Sequence, residues 1–133
     1  MSMKIIIAGA GAVGTHLARL LSADRMDVVL MDASEEKLSK LNNELDIMTI
    51  AKQPTSIEGL KDAGVSGSDL FIAVTPNESE NLACAMLAKQ LGAKMTLARV
   101  DNYEYMKPAN LQYFKNLGIE SLIYPELLAA KDI

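Results

Sequence analysis

Three glycines and one acid carry the first chemical suggestion in this chain. Gly9, Gly11 and Gly14 stand at G-x-G-x-x-G spacing, and Asp32 follows at the end of the next apolar run, Val28 to Met31. An apolar run, Ile5 to Ala8, leads into the glycines, and a helix-compatible stretch, Thr15 to Leu21, leads away from them. That is a strand, a tight turn and a helix start. In such a unit the first glycine permits the turn, the second lets the backbone approach a pyrophosphate, and the third packs helix against sheet. Phosphates would meet unpaired N–H groups at the positive end of the helix dipole. The acid lies at roughly the distance, about 20 residues, expected of one that holds a ribose hydroxyl. Dinucleotide or adenine-nucleotide binding is the chemistry these residues point to. Asp32 can also be read as a helix N-cap, because Glu35 stands three residues later.

Further candidates sit where strands should end. Thr75, Asn77 and Asn81 lie in a polar run after Leu70 to Val74, either as donors over a ligand or as turn and cap residues. Arg99 could pair with a phosphate bidentately, or with Asp101 or Glu78. Tyr103 and Lys107 have the Y-x-x-x-K spacing of short-chain dehydrogenases, but no serine stands upstream in the preceding strand. His16 reads as a surface or packing residue of the first helix, and Cys84, between Ala83 and Ala85, as core. No His, Cys and carboxylate cluster suggests a metal.

The elements that must position these residues alternate along the chain. Strands are expected at 4–8, 27–31, 47–50, 70–74, 95–100 and 121–124. Helices are expected at 12–22, 35–45, 57–63, 79–91 and 103–117. Such alternation predicts an α/β fold, a doubly wound parallel sheet of six strands in the order 3-2-1-4-5-6 with helices on both faces, three layers in all. The ligand crevice belongs between strands 1 and 4, where the order reverses. The predicted organisation is a nucleotide-binding domain over residues 1–124, then the start of a further helix, 125–133, whose run Leu127 to Ala130 asks for a partner.

Composition narrows the classes. With 133 residues, half of them hydrophobic, one domain with a real core is expected, and with no Trp it must be filled by aliphatic side chains. A net charge of −4 argues against nucleic-acid binding. A single cysteine rules out an internal disulfide and fits a reducing compartment. The first strand begins at once, leaving no leader, and no run approaches the roughly 18 apolar residues of a membrane span. The expectation is a soluble, cytoplasmic chain.

The whole pattern resembles one family. The loop Gly9 to Gly14, then Asp32, then Leu60 to Val65 followed by Asp69 to Thr75, then Glu78, Asn81 and Leu82, then Leu97 to Val100, is similar to the TrkA N-terminal (KTN or RCK) domain of bacterial potassium uptake regulatory proteins. The resemblance implies a Rossmann-type domain that binds NAD(H), or ATP, ADP or AMP, and that is no enzyme. It implies assembly as a homodimer or larger oligomer through a crossover helix opened by Glu126. It also implies a membrane potassium transporter as partner, which would hold the protein at the inner face of the membrane without insertion. The binding set so implied is Gly9, Ala10, Gly11, Ala12, Val13, Gly14, Asp32, Ala33, Lys52, Thr75, Pro76, Asn81 and Arg99. Lys52 marks a departure, placing a donor where the family usually has an acceptor near the adenine. The competing readings are the cofactor domain of an NAD-dependent dehydrogenase separated from its substrate domain, and a redox sensor acting on transcription.

Overall fold

A computed structural model describes residues 2–125. Six strands, β1 (Lys4–Ala8), β2 (Asp27–Met31), β3 (Met48–Ile50), β4 (Leu70–Ala73), β5 (Met95–Arg99) and β6 (Ser121–Ile123), alternate with helices. The helices are α1 (Ala12–Ala23), α2 (Glu35–Asn42), α3 (Ile57–Asp62), α4 (Glu78–Gln90) and α5 (Pro108–Asn116). The sheet is parallel throughout, in the order β3-β2-β1-β4-β5-β6. Fold class and strand order are thus as the sequence predicts.

Alternating side chains explain why the central strands read as unbroken apolar runs. Ile5 and Ile7 of β1 join Leu30, Ile72 and Val74 beneath α1 and α2, which contribute Ala18, Leu38 and Leu41. Ile6 and Ala8 face the other way, with Val29, Met31 and Phe71, onto Leu60 of α3, Ala85 and Ala88 of α4 and Phe114 of α5. The interior is therefore two aliphatic layers separated by one sheet.

Register fixes the crevice. Ile5 to Ala8 pair in parallel with Leu70 to Ala73 on one side and with Val28 to Met31 on the other. The carboxyl ends of β1, β2 and β4 consequently finish level, and Val74 N donates to Ala8 O across the reversal point at 2.9 Å.

Two elements differ from expectation. The helix expected over 103–117 is divided into a 3₁₀ turn, Tyr103–Met106, and α5. Pro108 is the cause: it drives the preceding residue out of the helical region, and Lys107 sits at φ −64°, ψ 136°. α2 stops at Asn42 rather than at residue 45, where the Asn42-Asn43 pair turns the chain and Leu45 N still reaches Leu41 O at 2.8 Å. Pro125 is the last described residue, so Glu126 and the apolar run Leu127 to Ala130, with the further helix expected there, lie outside the described residues.

Candidate glycine-loop site

The loop between β1 and α1 is built by two very close approaches. Gly9 has φ +116°, and a Cβ there would stand 3.0 Å from the backbone nitrogen of Thr75. Gly14 is tighter, since an added Cβ would lie 1.7 Å from Gly9 O. These two glycines hold the turn onto the strand ends. Gly11 differs: its backbone is extended, at φ −82°, and a Cβ added there meets no atom within 4 Å. The fold itself does not call for a glycine at 11.

α1 starts at Gly11 without a side chain accepting its first N–H groups and without an acid in its first turn. The next three helices are finished differently. Ser34, Ser56 and Asn77 accept from Lys37 N, Gly59 N and Glu80 N, and each first turn carries glutamate. The orphan donors of α1 therefore face the crevice with no internal partner, a disposition that suits an anion. Ala12 and Val13 are exposed beside them, and Ala10 is buried.

Asp32 leaves the end of β2 and turns back over the loop. Its carboxylate accepts from Ala10 N at 2.8 Å and from Ser34 N at 2.7 Å. Ser34, not Asp32, is the cap of α2. Two bonds leave lone-pair positions on the carboxylate free, so a hydroxyl donor can be accommodated as well. Ala33 is exposed next to it.

The opposite lip is made by the ends of β4 and β5. Thr75 and Asn81 are both buried. Asn81 Oδ1 accepts from Thr75 N at 2.9 Å and from Thr75 Oγ1 at 2.8 Å, and its Nδ2 donates to Thr75 O at 2.9 Å and to Arg99 O at 3.1 Å. All four positions of the amide are spent within the protein, so Asn81 reaches the crevice through Thr75 and Arg99. Pro76 is exposed at the rim.

Arg99 closes β5. Among the described residues its ionic neighbour is Asp101, with Nε 3.7 Å from Oδ1, too long for a hydrogen bond. Nε is buried and has no partner. Glu78 does not pair with it; its carboxylate instead accepts from Asp101 N at 2.6 Å and Asn102 N at 2.7 Å.

Lys52 follows β3 and is turned onto α3. Its ammonium meets Asp62 at 2.6 Å and Glu58 at 3.1 Å, and these hydrogen bonds, Asp62 first, raise its pKa above the ordinary lysine value. The donor that marks the departure from the family pattern is thus shared between two carboxylates.

The remaining candidates lie apart. His16 is exposed on α1. Tyr103 belongs to the 3₁₀ turn and packs edge-on against Tyr124 at 5.5 Å, while Lys107 follows that turn in extended conformation. Their spacing therefore does not put them one turn apart on a helix. Burial pushes the Cys84 thiol up to about 12, which leaves it neutral and unreactive in the folded state. A cavity of about 290 Å³ between α5 and β6 is lined by Met106, Leu111, Phe114 and Leu122, far from the glycines. Among the described residues no group of His, Cys, Asp or Glu could hold a metal ion, and no helix is long and apolar enough to cross a membrane.

Sequence reasoning missed the clamp formed by Glu78 and Asn81. Its only signal was an acid and an amide three residues apart, one helical turn, at the start of α4.

Known proteins resemble this chain in sequence and in fold. The family model for the TrkA-N domain matches residues 5–125. A Trk system potassium uptake protein TrkA homolog from Archaeoglobus fulgidus is 38% identical over 131 residues, which is 98% of this chain and 29% of that protein. The chain thus spans under a third of that relative's length. The TrkA-N domain of inner membrane protein ybaL from Escherichia coli superposes with a TM-score of 0.84 at 17% identity, covering 99% of this chain and 94% of that one. The GsuK channel bound to NAD superposes at 0.73 and 15% identity, over 92% of this chain and 21% of the channel.

Proposed function

This chain belongs to the TrkA-N domain family, and from that premise we propose that it is the nucleotide-sensing domain of a potassium uptake system. In this reading NAD(H) occupies the crevice between the ends of β1 and β4, with ATP, ADP or AMP as alternatives. The observation that carries the reading is the contrast within the loop: Gly9 and Gly14 are required by close backbone approaches, whereas Gly11 is glycine over open space. A residue without a Cβ at that point suits a ligand that lies against the backbone. The solved GsuK channel bound to NAD has a domain of the same fold, which supports the choice of nucleotide.

Each part of the crevice has a share in this scheme. The free N–H groups at the start of α1 receive the pyrophosphate. Asp32 receives the ribose hydroxyls and repels a 2′-phosphate. Arg99, with an unpartnered Nε, supplies positive charge on the facing lip. Thr75, Asn81 and Pro76 shape that lip. Lys52, tied to Asp62 and Glu58, lies to the adenine side. Among the described residues no paired acid and base stands over the crevice, and in this reading the domain works by occupancy.

Occupancy becomes a signal only when two states of the assembly differ in affinity for the ligand. The expected difference is a change of angle between two copies of the domain, transmitted to a membrane potassium transporter from its cytoplasmic side. A coupling of about 1–3 kcal/mol is of the ordinary allosteric size.

The test has two arms. Titration calorimetry should show NADH binding more tightly than NADPH, and Arg99→Ala should cost about 1.5–3 kcal/mol of that affinity. Reconstituted with its transporter, the full-length protein should give potassium flux that depends on nucleotide and loses that dependence in Gly11→Asp. Flux indifferent to NADH, NAD, ATP and ADP, or steady oxidation of the cofactor with a small substrate, would overturn the reading.

A further inference from the structure

α4 begins against the ends of two strands at once, and its first turn holds the backbone that carries Arg99. Three backbone atoms within four residues are fixed from there. Arg99 O accepts from Asn81 Nδ2, and Asp101 N and Asn102 N both donate to one oxygen of Glu78. Glu78 and Asn81 lie three residues apart on α4, so they act from the same face of the helix.

The guanidinium at the end of this segment is held much more loosely. Among the described residues its one ionic neighbour is Asp101, at 3.7 Å, and its buried Nε has no hydrogen bond to any of them. The backbone is thus pinned while the charged group keeps donors in reserve. Glu78 contributes to both conditions. It anchors the segment after β5, and by taking Asp101 N it also fixes where the competing carboxylate of Asp101 can stand.

The sequence offers Glu78 as a partner for Arg99. Its carboxylate spends its charge-assisted bonds on two backbone N–H groups instead, at 2.6 and 2.7 Å. Such a placement leaves the arginine free for something else.

We propose that Glu78 is a positioning residue of the nucleotide site, which with Asn81 holds the segment 99–102 so that Arg99 meets the ligand's phosphates. This inference rests on the reading that Arg99 contacts a phosphate. Glu78 touches no ligand; it acts on the backbone that carries Arg99, so that ordering the segment 99–102 is not a cost of binding.

The test is a double-mutant cycle in the full-length protein, read by NADH titration together with thermal unfolding. Glu78→Ala should weaken NADH about tenfold, and thermal unfolding reads separately the stability lost with its bonds to Asp101 N and Asn102 N. Glu78→Gln, which keeps an acceptor oxygen, should recover most of the affinity. In an Arg99→Ala background, Glu78→Ala should produce no further loss. An equal loss in both backgrounds, or no loss in the presence of Arg99, would overturn the positioning role while leaving nucleotide binding intact. Absence of NADH binding in the unaltered protein, or an Arg99→Ala variant that binds normally, would overturn the underlying reading and this role with it.

Discussion

On the β1 side of the crevice the backbone is bare. α1 starts on a glycine, no side chain caps it, and Asp32 reaches only Ala10 N and Ser34 N. On the β4 and β5 side nearly every polar group is committed. Asn81 uses its whole amide, Asn77 caps α4, and Glu78 binds two N–H groups of the following segment. The first lip has donors to spare and the second has almost none. Arg99 is the exception on the second lip, and its looseness stands out because everything around it is tied. The lesson is a division of labour: one lip offers hydrogen bonds, and the other holds geometry.

That comparison can be broken most severely within the loop itself. Gly14→Ala should destabilise the fold by about 4 kcal/mol or more, because its Cβ would overlap Gly9 O at 1.7 Å. Gly11→Ala should cost about 1 kcal/mol or less, since its Cβ meets nothing and only N-cap preference is lost. Urea unfolding of both variants measures the difference. Similar losses would mean that the bare lip is structural after all.

A smaller effect separates the helix starts. Ser56→Ala removes the acceptor 2.9 Å from Gly59 N and should cost about 1 kcal/mol in thermal unfolding without changing nucleotide affinity. A comparable loss of affinity would show that the capped starts also serve the crevice.

The smallest effect lies at the opposite pole of the sheet. Burial pulls the Glu120 carboxyl upward, but bonds from Lys89 and from Thr96 N and Oγ1 outweigh it and hold its pKa below the usual glutamate value. A lowered pKa in the folded state means stability that is present above the unfolded pKa and lost as pH falls through the folded one. Glu120→Gln should therefore be less stable than the native chain at pH 7, by under about 1 kcal/mol given its partial exposure. The gap should close below about pH 4. A gap that persists in acid would assign the loss to packing instead.

Much of this molecule was legible in its sequence because a parallel sheet writes itself plainly. Val28 to Met31 and Leu70 to Val74 are apolar on both faces, and turn residues separate them from helical stretches. The division of the last helix was equally readable, from Pro108, yet helical periodicity on either side obscured it. The site was half legible. Glycine spacing announces the loop, but nothing in Gly9, Gly11 and Gly14 says which of them the fold itself demands. That depends on Gly9 O and on Thr75, the latter more than 60 residues away in the chain. The partners of Glu78 and Asn81 were illegible for the same reason: hydrogen bonds to backbone atoms leave no trace in the identity of the residues that receive them.

The reversal point between β1 and β4 has a consequence for how the chain holds together. Residues before the exposed turn at Ser66-Gly67 contribute β1, β2 and β3, and residues after it contribute β4, β5 and β6. Ladder bonds between the two halves run along β1 and β4 alone, extended by Asp69 N to Lys4 O at one end and by Val74 N to Ala8 O at the other. Either half by itself would present its most apolar strand as an open edge. Neither half is therefore a self-sufficient folding unit, and the crevice lies at the upper end of the seam that makes them one. A ligand held there as proposed would touch residues from both halves and so add to the cooperativity of the whole.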